Sequence, residues 1–199
     1  MATESFQRLA IHEASHALIG ILQGFRIYGV MIDGPDDQAG RTWHAFPPER
    51  TPATERLWAK KELAVFAAGY LGEREFFGRR RKNRSHDADR AIVESLAFLA
   101  IHSQDEVHLL QMAALGGQNR NDLRRRVPRS RWDDYLHLIE DIERNVAESI
   151  HANRSRLQSI ASQLLRDGYV RGSDLYSIAG VPWCGRSRTA TWSDLRRDH

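Results

Sequence analysis

The chain has 199 residues, 41% of them hydrophobic and 28% charged, a globular composition that excludes collagen-like, low-complexity and wholly disordered chains. Its formal net charge of +3 is too small to point by itself to a nucleic-acid partner. No apolar run approaches the roughly 20 residues of a membrane helix, the opening MATESFQR lacks a signal-peptide layout, and the single Cys184 allows no internal disulfide, so the expected setting is the reducing cytoplasm.

Helical periodicity dominates the chain and no fixed-period repeat interrupts it. The first expected helix covers residues 6–23, with Leu9, Ala10, Ala14, Ala17, Leu18, Ile21 and Leu22 on a broad apolar face and Gly24 as its stop. Residues 26–32 and 41–46 are the strand candidates, separated by the turn signal Asp33-Gly34-Pro35. Pro47, Pro48 and Pro52 mark a loop, and a long helix over 55–77 then closes at Gly78. After the cationic stretch 79–84, helices are expected over 87–101 and 104–115, with Gly116-Gly117 as a break. Ser130 and Asp133 resemble a capping box for a helix over 131–152. Residues 155–166 are amphipathic and end before Gly168, and Ser173 is placed to cap a last short helix. The expected fold is mostly α, with a small β-ribbon between the first helix and the second long one. One domain spans 1–180, and 181–199 form a loosely structured tail.

The sharpest chemical signal is His12-Glu13-Ala14-Ser15-His16. Positions i and i+4 share a helix face, so both imidazoles can reach one ion. Glu13 projects beside them, where a carboxylate can take a proton from water that the ion activates. Chance sharing of a helix face is the competing explanation, and the apolar flanks of a buried helix favour zinc. Two histidines leave a catalytic zinc site one protein ligand short. No HxxGxxH continuation follows, so the third donor must come from a distant segment, and Glu73, Glu75, His86, Asp87 and Asp89 are the candidates.

A run of further motifs follows in order. Ile11 to Gly20 carries the histidine pair, 28–32 and 40–43 form a strand-turn-strand segment, Ala64-Val65-Phe66-Ala67-Ala68-Gly69 leads through Glu73 to Phe77-Gly78, and Ser85-His86-Asp87 comes after without a gap. In these motifs and their spacing, and in a C-terminal helical part that runs from Ala152-Asn153-Arg154 through Leu157, Ala161 and Leu164-Leu165 to 172–178, the chain resembles the peptidase domain of the FtsH-type ATP-dependent zinc proteases, over about residues 5–180. It departs from them by Ser15 where glycine is usual and by His86 where asparagine is. The resemblance implies a helical peptidase fold with Zn²⁺ held by His12, His16 and Asp87, and with Glu13 as general base. It also implies a Glu73 that hydrogen-bonds a ligand imidazole and fixes its tautomer, although an exposed helix glutamate explains Glu73 equally well. Substrate would bind extended, along the edge of a strand such as 41–46. Trp43 and His44 on that strand are candidates to line the cleft, against ordinary strand packing.

No GxxxxGK[ST] loop occurs and no apolar run is long enough to span a bilayer, so neither the ATPase module nor the membrane segment of that family is expected in this chain. The expected protein is therefore a stand-alone zinc endopeptidase for unfolded or flexible polypeptides. A separate ATPase partner and a homo-oligomer are left open. The alternative is a binding or regulatory module that keeps a metal for stability and has lost turnover. Arg79, Arg80, Arg81, Lys82 and Arg84 put five cations in six residues just before Asp87. They are candidates to contact substrate, against the usual meaning of a solvated loop. Arg124, Arg125, Arg126, Arg129 and Arg131 form a second basic cluster. Neither has the interleaved aromatics of single-strand binders, which argues against nucleic acid. Cys184 has no catalytic base near it in sequence.

Overall fold

In a computed structural model, which describes residues 3–32, 40–45, 52–78 and 132–183 together with Val93 and Ala97, the chain is mostly helical with a small three-stranded antiparallel sheet. Helix α1, Glu4–Leu22, starts where Thr3 Oγ1 accepts a hydrogen bond from the Phe6 amide, with Glu4 acidic in the first turn. Every residue from Ala10 to Ile21 is buried, so α1 is the central element and is covered on all sides.

Strand β1, Arg26–Ile32, pairs antiparallel with β2, Gly40–Ala45, and its register shifts by one residue between Ile27 and Gly29. Helix α2, Pro52–Phe77, begins three residues before the expected start, with proline in the first position that tolerates it best. Helix α3, Trp132–Ala152, packs on α2, where Tyr70 Oη donates to Glu143 Oε1 at 2.6 Å. Helix α4, Arg154–Asp167, packs on α1 and ends at Gly168 in the left-handed conformation. The chain then enters β3, Tyr169–Arg171, and a last helix α5, Gly172–Ala179.

Strand β3 corrects the expected two-stranded ribbon. It pairs with β1 through Gly29↔Arg171, Val30↔Val170 and Met31↔Tyr169, which makes the order β2-β1-β3. Three residues are too few to carry an alternating pattern, and their pairing partner lies far away in sequence. Helix α5 also starts differently from expectation. Arg171 occupies its cap position without a side-chain bond, while the Ser173 hydroxyl donates to Asp174 instead. Just past residue 180, Val181 packs on the core and Trp183, itself exposed, meets Tyr176 edge-on at 4.7 Å. The rest of the tail and most of the expected helices over 87–101 and 104–115 lie outside the described residues, but Val93 and Ala97 are helical and buried.

Leu18, Ile19, Leu63, Leu71, Ile150, Leu157, Ile160, Leu164 and Leu175 are fully buried and join all five helices except α3's N-terminal half. Each contributes about 1.5–3 kcal/mol by leaving water. Among the described residues no helix is long and apolar enough to cross a membrane.

Candidate metal centre

Two rows of residues meet at the site. Glu4, Arg8, His12 and His16 recur every fourth position on α1, and Val65, Gly69, Glu73 and Phe77 do so on α2. Fourth-neighbour side chains form a ridge along one helix face. The ridges run in opposite directions: Arg8 lies over the Phe77 ring, His12 meets Glu73 and His16 meets Val65.

The partners set the tautomers. The Val65 carbonyl, 2.7 Å from His16 Nδ1, can only accept, so that nitrogen carries the proton. His12 Nδ1 donates in the same way to Glu73 Oε1 at 2.9 Å. That leaves Nε2 of each ring as the nitrogen available to a metal, and the two Nε2 atoms face each other at 3.0 Å. The rings stand edge to face, with centroids 4.6 Å apart, and His12 and His16 are 4% and 8% exposed. Such closeness needs a gap in α2. A Cβ on Gly69 would fall 2.5 Å from His12 Cε1 and 2.6 Å from both Nε2 atoms. One turn along, a Cβ on Gly72 would fall 1.9 Å from Ser15 Oγ. Ser15, the departure within the motif, is fully buried and donates to the Ile11 carbonyl at 2.7 Å, so its bulk is matched by a glycine across the helix contact.

Glu13 is 7% exposed and lies under strand β2. Thr42 Oγ1 donates to its Oε2 at 3.0 Å, and a Cβ on Gly40 would come within 2.4 Å of its Cγ. Thr42 is a candidate residue that the motif reading did not identify. Its signal was the strand period: Gly40, Thr42 and His44 share one face of β2.

The remaining candidates separate clearly. Glu73 is 2% exposed and sits on His12. Glu75, two positions on and so on another helix face, is not beside the histidines. Its Oε1 accepts from Arg154 at 2.7 Å and pairs with His151 Nδ1 at 3.1 Å. The His151 hydrogen bond, helped by Arg154 and opposed by burial, holds the Glu75 carboxyl below its ordinary range. Trp43 alternates to the face of β2 away from Thr42, where its ring packs edge-on against Tyr169 at 6.4 Å. His44 is on the Thr42 face and meets Phe25 at 5.7 Å. Asp87, His86, Asp89, Arg79, Arg80 and Arg81 lie outside the described residues. Among the described residues no three His, Cys, Asp or Glu side chains form one group.

The donor set fits a zinc ion. Two imidazole nitrogens face each other across 3.0 Å, a placement that one shared cation would satisfy. Tetrahedral Zn²⁺ at its usual 2.0–2.1 Å from nitrogen places two imidazole nitrogens about 3.3 Å apart. Glu73 and the Val65 carbonyl hold the far nitrogens as outer partners of metal-bound histidines do. No protein-family model matches the chain, and no curated protein matches it at a significant level.

Proposed function

We propose that this chain is a zinc-dependent endopeptidase of the kind seen in FtsH-type peptidase domains, cutting unfolded or flexible polypeptides. The observation that carries the reading is the convergence of His12 and His16 Nε2 at 3.0 Å, next in sequence to a glutamate held by Thr42. His12, His16 and, by the resemblance, Asp87 hold Zn²⁺. When bound, the ion lowers the pKa of water and polarises a carbonyl. Glu13 takes the proton that the water gives up and passes it to the leaving amine. Thr42 occupies Oε2 of Glu13 and so presents the other oxygen for that transfer. Strand β2 stands at one edge of the sheet, where an extended polypeptide can add backbone hydrogen bonds without regard to its sequence. Arg79, Arg80 and Arg81, shortly before Asp87 in sequence, favour acidic segments over neutral ones.

The test pairs metal analysis with cleavage of a permanently unfolded protein. Wild type and Glu13→Gln are expected to hold one zinc per chain, while His12→Ala and His16→Ala lose it. Cleavage, without ATP, falls at least about 100-fold in Glu13→Gln. Asp87→Ala weakens zinc binding and His86→Ala does not. Zinc retained by a wild type that cuts nothing would leave the metal-stabilised binding module instead, and a wild type without zinc would remove both.

A further inference from the structure

Arg8 is a charged residue with only 12% of its side chain exposed, one helical turn before His12. Its guanidinium is held from three sides. Nε and Nη2 reach Glu4 Oε1 at 3.0 and 2.9 Å. The group lies over the Phe77 ring, 4.5 Å from its centre. Nη1 stands 3.8 Å from Glu73 Oε2. The other oxygen of that same carboxylate accepts the proton of His12 Nδ1.

A carboxylate turns easily about its terminal bond, because that torsion has broad, shallow minima. The hydrogen bond from His12 holds Oε1, and a charge beside Oε2 helps to fix the turn of the group. We propose that Arg8 is a positioning residue of the candidate metal centre: it fixes the Glu73 carboxylate and, through it, the ring of His12. The inference rests on the metal reading above and extends it outward by one residue. At 3.8 Å the contact is an ion pair rather than a hydrogen bond, so Arg8 acts through charge and place. A buried carboxylate also needs such a partner to be tolerable among apolar side chains. The Phe77 ring and Glu4 hold the guanidinium in turn, so α1 and α2 each supply one of its supports.

The experiment measures the zinc dissociation constant of the full chain by competition with a chromophoric chelator, alongside thermal melting of the metal-free proteins. Glu73→Gln is expected to weaken binding about 10- to 100-fold and Arg8→Met about tenfold, as losses of outer-shell partners do. Arg8→Lys keeps the charge and is expected to stay within about threefold of wild type. In a Glu73→Gln background Arg8→Met should change affinity by less than about twofold, because its route to His12 is already cut. Should Arg8→Met fail to fold, Glu4→Gln at the exposed end of the row loosens the same guanidinium and is expected to weaken zinc binding by about threefold. Wild-type affinity in Arg8→Met would overturn the inference. So would a tenfold loss that persists in the Glu73→Gln background, since Arg8 would then act on helix packing alone. A wild type that binds no zinc removes the metal reading and this inference together; tight wild-type binding that Arg8→Met leaves unaltered removes only the inference.

Discussion

Gly69 is the position where the proposed geometry is most exposed to test. An alanine there puts a methyl carbon 2.5 Å from His12 Cε1 and 2.6 Å from Nε2 of both histidines. Non-bonded carbons settle at about 3.5–4.0 Å, so the overlap is about 1 Å with two rings at once. Neither ring can retreat without stretching its Nδ1 bond, to Glu73 in one case and to the Val65 carbonyl in the other. In an exposed helix the same change would stabilise by about 1 kcal/mol through helix propensity. Here it sets that gain against two buried hydrogen bonds of about 1 kcal/mol each and about 1–3 kcal/mol of overpacking. The expected net loss is about 2–4 kcal/mol, which lowers Tm by about 5–15 °C in a chain of this length. Zinc affinity should fall at least about tenfold, because both imidazoles are displaced. Thermal melting of the metal-free protein and a zinc competition assay measure the two effects separately. A Gly69→Ala protein that melts at or above wild type and binds zinc unchanged would refute the placement of α2 against the histidine pair.

Three further outcomes follow from the same contacts. Gly72→Ala brings a Cβ to 1.9 Å from Ser15 Oγ and should cost about 1–3 kcal/mol; adding Ser15→Gly should restore most of it, and failure to recover would sink the pairing of these two positions. Thr42→Val removes the donor to Glu13 Oε2 at nearly constant volume, so kcat for cleavage of an unfolded protein should drop about tenfold with zinc content intact, and Thr42→Ser should keep most of the activity. Unchanged kcat in the valine variant would deny Thr42 its role. Glu75 has a depressed carboxyl pKa in the fold, chiefly through the His151 hydrogen bond, so its contribution is present above about pH 4.3 and disappears as pH falls through the lower folded value. Glu75→Gln should therefore be less stable than wild type at neutral pH by no more than about 1 kcal/mol, with the difference closing below about pH 4; a difference independent of pH would contradict the assignment.

The helical character of the chain was legible because apolar residues recur with helix period in long segments, and α1, α2, α3 and α4 each fall within a few residues of expectation. The histidine pair was legible for the same reason: spacing on one helix is local information. Strand β3 was not, since its identity as a strand comes from pairing with β1 and not from its own three residues. Glu73 and Glu75 were equal candidates as ligand donors by composition. Only the angular position of α2 against α1 sends the first to His12 and the second to Arg154 and His151. Trp43 and Thr42 part for a simpler reason. Adjacent residues of a strand point to opposite faces, and Thr42, not Trp43, takes the face that meets Glu13.

The two helices carry more in combination than either does alone. In the row Glu4, Arg8, His12 and His16 the last two lie in the stretch of α1 that is buried throughout, so their ring nitrogens must meet polar groups inside the protein. The opposing row on α2 meets it with a phenyl ring, a carboxylate and a backbone carbonyl at matching four-residue intervals. The carbonyl is the unexpected member, because Val65 O is already the acceptor that the amide four residues on, at Gly69, uses within a regular helix. A carbonyl has two lone pairs, so a second donor is allowed if it can get there. Side chains on a helix lean toward its N-terminus, so a side chain at position 69 would cover the oxygen at position 65. Glycine at 69 thus does two things at once: it leaves room for both imidazoles, and it uncovers the oxygen that sets the tautomer of His16. Any side chain at position 69 therefore disturbs His16 by two separate routes, and enlarging the pocket elsewhere could relieve only the first.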